Sequence, residues 1–437
     1  MSWESLVSTA LVGTARRPYD GDLLEAAAVE VVRRRAGQVP MATGEQARAP
    51  EETREPVSNA AAGRLARILG GEHARLVGEW LELAAATGRR VPPHVLPDLL
   101  EKGRRDRSIR CHLGVLAGER GRWLAARNPA WAYLLEEATG QAWELGTPAD
   151  RRAHLRELRA TDQKAARELL EAAWERETPD DRAAFVSLLG EGLSMDDEEF
   201  LESALDDRRR EVRQEAANLL TRLPGSRLSL RMAERARRCL AVREGVIVVS
   251  PPHECDAAME RDGVRAKPPH GTGARAWWLQ QVIARAPLGM WSTDLLRGRI
   301  PEWEGEVRLG WVRAAVLQRD PVWARAMFAW DPIADLLTAL PAAEQQEVAA
   351  GFVRTHDLDS QLIMVLGGVS APWGPDLAAA VLKKILQVQP WNLGELARLA
   401  GERIDPLLHP LAAAPEPPIQ EVAALLRFRA EMMKELT

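Results

Sequence analysis

The segment LDDRRREVRQEAANLLTRLPGS, Leu205–Ser226, decides the fold class of this chain. Its apolar residues return every three or four positions, at Val212, Ala216, Leu219, Leu220 and Leu223. This period matches the turn of an α-helix and places the apolar side chains on one face. Because residues 155–174 follow the same period, the sequence predicts amphipathic helices and an all-α fold.

Two similar motifs mark helix starts ahead of this segment. TPADRR begins at Thr147 and TPDDRA begins at Thr178, 31 residues later. Each supplies a threonine N-cap, a proline at the first helical position and an aspartate three residues after the cap. Ser194 offers the same cap chemistry for a further helix. A repeat of roughly 30 to 45 residues with two helices per unit is typical of helical solenoids.

One helix of this region resembles a known repeat. A set of six residues resembles the second-helix signature of HEAT repeats: Asp206, Val212, Arg213, Ala216, Ala217 and Leu220. The resemblance implies that the aspartate and arginine connect neighbouring units and that the apolar residues pack the core. We therefore expect a HEAT-like α-solenoid.

Three further segments carry a wider resemblance. They are LVSTALVGTARRP near the start, GERGRWLAARNPAW at Gly118–Trp131 and MERDGVRAKPPHGTGARAWWLQQV at Met259–Val282. With these segments the chain resembles an uncharacterised bacterial family with HEAT-like repeats. Members of that family are encoded near MoxR-type AAA+ ATPases, von Willebrand A-type proteins and SWIM zinc-finger proteins. The resemblance implies no known activity, but it makes the AAA+ and von Willebrand A-type proteins candidate partners.

Composition indicates a folded protein of the cytoplasm. Of the 437 residues, 46% are hydrophobic and 28% are charged, and the net charge is -5. No apolar run reaches the ~18 residues that span a bilayer, and the N-terminus lacks a secretory signal, so we expect no membrane association. Three cysteines are too few for a disulfide framework. Arginine outnumbers lysine 52 to 6, which fits a GC-rich genome better than nucleic-acid binding.

The chain is expected to contain four regions. An N-terminal helical block covers 1–140 and includes a polar, proline-containing stretch at 37–58 that is predicted to be a mobile loop. Clearer repeats cover 141–244, and an irregular insertion at 245–273 begins with the strand-like run Val246–Val249. A Trp-rich helical block covers 274–437, and its last helix is expected to cap the array.

Aromatic and basic side chains are the candidate contacts for a partner. Seven of the 15 tryptophans fall between Trp277 and Trp330, and the adjacent pair Trp277 and Trp278 cannot both face one core. The stretch Arg208–Arg238 has ten arginines against three glutamates. The residues predicted to bind a partner are Trp277, Trp278, Trp303, Arg231, Arg235 and Arg238.

Catalytic motifs are missing from the sequence. It has no GxGxxG, GxxxxGK[ST], HExxH, GxSxG or CxxC. Cys239, His253, Cys255 and His270 have no spacing typical of a zinc module, so we expect no metal and no cofactor. The sequence favours a non-enzymatic cytoplasmic scaffold or adaptor for protein partners. Two alternatives are a nucleic-acid-binding protein, of base-excision type for example, that uses Arg208–Arg238, and an enzyme with His253, Glu254 and Asp262 at the insertion.

Overall fold

The computed structural model describes residues 3–36, 48–136, 142–244, 246–387, 393–413 and 416–437. The chain divides into two compact units, Met1–Glu51 and Glu52–Thr437. The first unit contains helices α1 (Trp3–Val12) and α2 (Leu23–Ala36), which pack against each other.

The second unit is mostly helical, as the apolar periodicity predicts. Its helices before the predicted insertion are α3 (Asn59–Leu69), α4 (Val77–Ala86), α5 (Leu96–Arg105), α6 (Arg110–Leu116), α7 (Gly118–Ala125), α8 (Tyr133–Glu136), α9 (Ala142–Leu145), α10 (Pro148–Thr161), α11 (Gln163–Ala173), α12 (Pro179–Leu188), α13 (Glu198–Ala204), α14 (Arg210–Thr221) and α15 (Arg227–Cys239). The later elements are β1 (Leu240–Arg243), β2 (Val246–Val249), α16 (Ala257–Arg261), α17 (Ala274–Arg285), α18 (Glu304–Gln318), α19 (Pro321–Phe328), α20 (Ala334–Thr338), α21 (Ala342–Thr355), α22 (Ser360–Gly367), α23 (Pro375–Gln387), α24 (Leu393–Arg403) and α25 (Pro417–Leu436). Short 3-10 helices include Met195–Asp197, Leu288–Met290, Thr293–Arg297 and Pro406–Ala412.

The strand predicted at the start of the insertion is confirmed. Val246–Val249 forms an antiparallel hairpin with Leu240–Arg243, in which Leu240 is opposite Val249. Among the described residues, these two strands form the β-sheet. Within those residues, no helix combines the length and the apolar character that crossing a bilayer requires.

The predicted N-caps are present. The Thr147 hydroxyl accepts a hydrogen bond from the backbone N–H of Asp150, whose carboxylate accepts in return from the Thr147 N–H. The Thr178 hydroxyl accepts from the Asp181 N–H in the same way, and Ser194 caps Met195–Asp197. These bonds satisfy N–H groups that have no partner within the helix, which fixes where each helix begins.

Two triplets of side chains repeat along the chain and connect successive helices. They are Trp143, Arg151 and Glu177, and Trp174, Arg182 and Asp207. In each triplet the guanidinium lies over the indole ring, at 4.5 Å in the first and 5.3 Å in the second. It also forms an ion pair with the carboxylate. The 31-residue spacing therefore applies to these side-chain contacts between helices as well as to the N-caps at which the helices begin.

The HEAT-like signature is met in its core positions and shifted in its polar ones. Val212, Ala216, Ala217 and Leu220 are fully buried, as the resemblance implies. The carboxylate that pairs with α12 is that of Asp207, whose Oδ2 lies 2.8 Å from Arg182 Nη1. Asp206 instead pairs with Arg261, at 2.7 Å. Asp206 therefore connects its segment to the insertion, and the neighbouring Asp207 makes the contact with α12.

Part of the segment predicted as a mobile loop is anchored. Of 37–58, residues 37–47 lie outside the described residues. Glu52 Oε2 accepts a hydrogen bond from the backbone N–H of Glu119 at 2.9 Å, near the start of α7, and Val57 is 4% exposed. These later residues form no helix, in keeping with a loop, but they are held by contacts that their polar composition does not reveal, because the partners are distant in sequence.

Helices α10 to α24 pack mainly against the following helix or the one after it. Examples are α10 with α12, α12 with α14, α18 with α20, and α21 with α23. The buried apolar side chains form two clusters. The larger cluster contains residues between Leu155 and Leu426, and the smaller contains residues between Val57 and Leu134 together with Phe428, Met432 and Leu436.

The last helix belongs to both clusters. Its first half contributes Ile419, Val422, Ala423 and Leu426 to the larger cluster, and its second half contributes Phe428, Met432 and Leu436 to the smaller. The expectation that it caps a free end of the array is therefore wrong. It joins the helices that precede it to α3 and α4, against which it also packs.

Ion pairs hold this junction in place. Arg64 in α3 is 6% exposed, and its Nε lies 2.7 Å from Glu435 Oε2. Arg429 in α25 is 5% exposed and pairs with Glu79 in α4 at 3.0 Å. Arg429 also donates to the carbonyl oxygen of Gly401. Since buried arginines need partners, these contacts specify where α25 docks.

Candidate binding pocket

Two of the three predicted arginines of α15 are held by one buried carboxylate. Asp262 is 1% exposed, and its oxygens lie 2.6 Å from Arg231 Nη2 and 2.5 Å from Arg235 Nη1. Arg238 is exposed and pairs with Glu234 on the same helix, at 3.1 Å. The positive charge predicted for this helix face is therefore partly neutralised by the chain itself.

The same cluster attaches the insertion to the helices beside it. Glu202 Oε1 lies 2.7 Å from Arg231 Nη2 and 2.9 Å from Arg261 Nη1. Arg261 ends the short helix α16, so its contacts tie α16 to α13. Asp262 ties the same segment to α15. These arginines thus contribute to the docking of the insertion.

The titratable residues of the insertion do not converge. His253 and Glu254 are exposed, whereas Asp262 is buried, and in the described structure no hydrogen bond or ion pair joins any two of them. Burial raises the pKa of the Cys239 and Cys255 thiols to about 11. Both thiols are therefore ionised less readily than that of an ordinary cysteine. No group of three or more His, Cys, Asp or Glu side chains in the described residues is placed to hold a metal ion.

Trp278 and Trp303 lie in different surroundings. Trp278 is half-buried, and its indole N–H donates to the carbonyl oxygen of Ala266 at 2.9 Å, so it supports the insertion. Trp303 precedes α18 with a positive φ of 65° and packs, half-buried, against the larger cluster. The two adjacent tryptophans of α17 therefore have different surroundings. Trp277 lines a pocket, and Trp278 is not part of its lining.

This pocket has a volume of about 590 Å³. It is bounded by α14, α17 and α18 together with Arg265 of the insertion and the segment 331–335 that leads into α20. Trp277 is 7% exposed, and its indole N–H is buried without a hydrogen-bond partner. A concave site of this size is in the range that binds small molecules or short chain segments.

Arg285 is the most unusual side chain of the pocket. It is 5% exposed, and the hydrogen bond of its guanidinium goes from Nη2 to Asn218 Oδ1 at 3.2 Å. Its Nε is buried without a partner, and among the described residues no carboxylate forms an ion pair with it. Burial, followed by the charges of Arg265 and Arg313, lowers the pKa of Arg285 to about 10. The side chain is therefore still charged at neutral pH.

Two more arginines line the same pocket. The Arg265 Nε donates to Gln214 Oε1 at 3.1 Å, and its backbone N–H donates to Gln281 Oε1 at 2.8 Å. The Arg313 guanidinium lies 5.4 Å from the ring centroid of Trp277. Amide side chains thus orient the Arg265 main chain and guanidinium, and neither arginine pairs with a carboxylate in the described structure.

The rest of the lining is apolar or acidic. The apolar members are Ala284, Leu309, Val312, Val316, Leu317 and Ile333. Asp331 and Asp335 add two carboxylates, so three arginines and two aspartates leave the lining with a net charge of +1. The arrangement can bind a group that is negative at one part and apolar at another. It does not bring together an acid, a base and a nucleophile.

Sequence reasoning identified Trp277 but not the arginines of the pocket. One signal was available, because Trp277, Gln281 and Arg285 follow one another at four-residue steps on one face of α17. The contributions of Asn218 and Arg313 had no such signal. They come from other helices, which meet α17 only in the folded chain.

Comparison with known proteins places the chain in a family without assigning it an activity. No curated protein and no solved structure matches it. Residues 5–436 match a family described as a family of unknown function, DUF5691. Because this match covers nearly the whole chain, the protein belongs to the DUF5691 family.

Proposed function

We propose that the protein is a non-enzymatic scaffold or adaptor that binds a protein partner at the Trp277 pocket. The observation that carries the proposal is the lining, in which the buried, incompletely bonded Arg285 and Trp277 lie beside an apolar wall. Buried aromatic and arginine side chains in such pockets commonly anchor a partner. The other residues predicted for a partner, on α15 and at Trp278 and Trp303, are not part of this pocket.

The scaffold is proposed to be a HEAT-like α-solenoid. Two observations support this architecture. Helices α10 to α24 pack mainly on near neighbours, and the Trp, Arg and acid triplets recur after about 31 residues. Stacked units of this kind expose a long surface on which other macromolecules bind.

The proposed partners are AAA+ ATPases or von Willebrand A-type proteins of the cytoplasm. This assignment rests on the resemblance to a family encoded beside such proteins and is therefore an association. A nucleic-acid partner has less support, because Asp262 and Glu202 neutralise part of the basic stretch on α15. An enzymatic site at the insertion also has less support, because His253 and Glu254 are exposed and no hydrogen bond or ion pair of the described structure joins either of them to the buried Asp262.

Site-specific photocrosslinking tests the scaffold proposal. A benzophenone amino acid replaces Leu309, which lines the pocket and is 41% exposed, or Met364, which is 63% exposed and lies outside the pocket. We expect an AAA+ or von Willebrand A-type protein, added in purified form, to crosslink at 309 and not at 364. Crosslinking of equal yield at both positions, or none at 309, would contradict the proposal. Duplex DNA added at low and high salt tests the nucleic-acid alternative, since phosphate binding weakens steeply with salt.

A further inference from the structure

Two buried donors without acceptors lie in one pocket. The Nε of Arg285 and the indole N–H of Trp277 are both buried, and neither has a hydrogen-bond partner in the described structure. An unmade hydrogen bond of a buried polar group is unfavourable, and more so when the group is charged. Both side chains line the same cavity, in which the described residues supply neither donor with an acceptor.

The charge of the pocket indicates the sign of a suitable acceptor. Arg285 shares the lining with Arg265 and Arg313, and none of the three forms an ion pair with a carboxylate among the described residues. Elsewhere in the chain the buried arginines Arg159 and Arg429 have carboxylate partners. A buried guanidinium gains most from a negative group that also accepts hydrogen bonds.

The two aspartates of the lining limit the charge of the ligand. Asp331 and Asp335 reduce the net charge of the lining to +1, which matches a single negative charge. A phosphate carries between one and two negative charges at neutral pH, which exceeds the net charge of the lining. A carboxylate is the monoanion that pairs with a guanidinium through two parallel hydrogen bonds.

The remainder of the pocket suits an apolar body. Leu309, Val312 and Val316 lie along α18, and Ile333 adds a further aliphatic side chain. The volume of about 590 Å³ exceeds what a carboxylate group alone needs. Leu309 is 41% exposed, so the apolar side of the pocket extends to the protein surface.

We propose that this pocket binds a carboxylate carried on an apolar body, with the carboxylate at Arg285 and the body against α18. The carboxylate comes either from a free organic acid or from the C-terminus of a protein chain. This inference goes beyond the scaffold proposal, because a free acid would fulfil it without any protein partner.

A matched pair of probes tests the inference. N-acetyl-leucine and N-acetyl-leucinamide have the same apolar body and differ in the carboxylate, and each is titrated against the full chain by ligand-observed NMR. We expect the acid to bind about tenfold more tightly or better, because a charge-assisted hydrogen bond contributes about 1.5–3 kcal/mol. Inorganic phosphate is expected not to displace the acid. Equal binding of acid and amide, or displacement by phosphate, would overturn the inference.

Variants locate the bound carboxylate. Arg285→Gln is expected to abolish the preference for the acid over the amide, and Arg313→Gln provides a second variant should the first not fold. The control is Arg105→Gln, an exposed arginine at the end of α5 and outside the pocket, which is expected to keep the preference. An unchanged preference in folded Arg285→Gln would place the carboxylate elsewhere and refute the proposed site.

A thermal readout separates binding from a structural role. If Arg285 were needed only for folding, its replacement would lower the melting temperature of the ligand-free protein. We instead expect Arg285→Met to keep or raise that temperature, because it removes a buried charge that lacks a carboxylate partner. A fall of the melting temperature, together with an unchanged acid preference in Arg313→Gln, would refute the inference.

A further pair of probes identifies the source of the carboxylate. Short peptides ending in leucine are compared as free acids and as C-terminal amides. Tighter binding of the acid peptide than of N-acetyl-leucine indicates a chain terminus, and weaker binding indicates a free organic acid. The photocrosslinking experiment at residue 309 reports on the protein partner, so failure of the scaffold proposal and failure of the carboxylate site give different results.

Discussion

Arg159 and Asp197 form a bidentate ion pair that is fully buried. Arg159 Nη1 donates to Oδ1 at 3.0 Å and Nη2 donates to Oδ2 at 2.6 Å. The guanidinium also donates to carbonyl oxygens, among them that of Glu191, and Asp197 Oδ2 accepts from the Ser194 N–H. The pair therefore joins α10 to the segment ahead of α13 and leaves few polar groups unsatisfied.

Breaking this pair is expected to destabilise the protein strongly. Asp197→Asn leaves the buried Arg159 without a counter-charge, for which a loss of about 3–5 kcal/mol is typical. Urea unfolding followed by circular dichroism measures the change. The control is Glu72→Gln, which breaks an exposed pair with Arg67 and is expected to give no measurable change. Equal losses in the two variants would show that burial does not govern the contribution of these pairs.

The second half of α25 is expected to stabilise α3 and α4. Met432 is fully buried in the smaller cluster, so Met432→Ala should lower the free energy of unfolding by about 2–5 kcal/mol. Hydrogen exchange is expected to accelerate in Asn59–Leu69 and Val77–Ala86, although both are more than 300 residues away. Met364→Ala, at a 63% exposed position, should change stability by less than about 0.5 kcal/mol. Unchanged exchange in α3 and α4 would contradict the junction.

Local patterns predicted the local structure well. Thr147 and Thr178 begin helices because cap chemistry acts between neighbouring residues, and the period around Val212 places it in the core because one helix face is buried. The stripe of α25 was visible in Val422, Leu426 and Met432. The sequence does not show that this stripe is divided between two clusters, because α3 is separated from α25 by most of the chain.

The pocket was only partly predictable for the same reason. The adjacent tryptophans indicated that one side chain of α17 had to leave the core, and Trp277 does line a cavity. Nothing near Arg285 in sequence shows that it lacks a carboxylate partner. Arg231, in contrast, does have a carboxylate partner. The basic stretch around Arg231 does not show this, because the partner, Asp262, lies 31 residues later in the chain.

Close packing of α17 and α18 depends on a glycine. A Cβ added to Gly310 would lie 2.7 Å from the Cβ of Ile283, a distance that packed carbon atoms do not adopt. We expect Gly310→Ala to destabilise the protein by about 1–3 kcal/mol through overpacking. Gly351→Ala is the control, because a Cβ there meets nothing within 4 Å in the middle of α21. It should stabilise by about 0.5–1 kcal/mol, so opposite signs are expected in thermal unfolding. Equal signs would contradict the helix contact.

Two glutamates of α14, Glu211 and Glu215, have pKa shifts of opposite direction. Burial raises the pKa of Glu215 above its ordinary 4.5. A hydrogen bond from its own backbone N–H, then one from Arg210, lowers the pKa of Glu211 below the same value. Native Glu215 thus holds its proton more tightly than the unfolded chain, so its contribution to stability falls as pH rises from 4.5 through the raised pKa. The contribution of Glu211 is present above 4.5 and is lost as pH falls through the lowered pKa.

Replacing each glutamate by glutamine removes its titration and makes these signs measurable. From pH 4 to pH 7, Glu215→Gln should become progressively more stable relative to the unaltered protein, because only the latter must ionise a buried carboxyl group. Glu211→Gln should lose relative stability as pH rises toward 4.5 from below and then show a constant difference, because the favoured carboxylate is fully formed there. Urea unfolding at pH 3, 4, 5, 6 and 7 gives both curves. The fold places Glu215 half-buried and Glu211 at the surface. If the stability difference from the unaltered protein changed with pH in the same direction for both variants, this difference in environment would be contradicted.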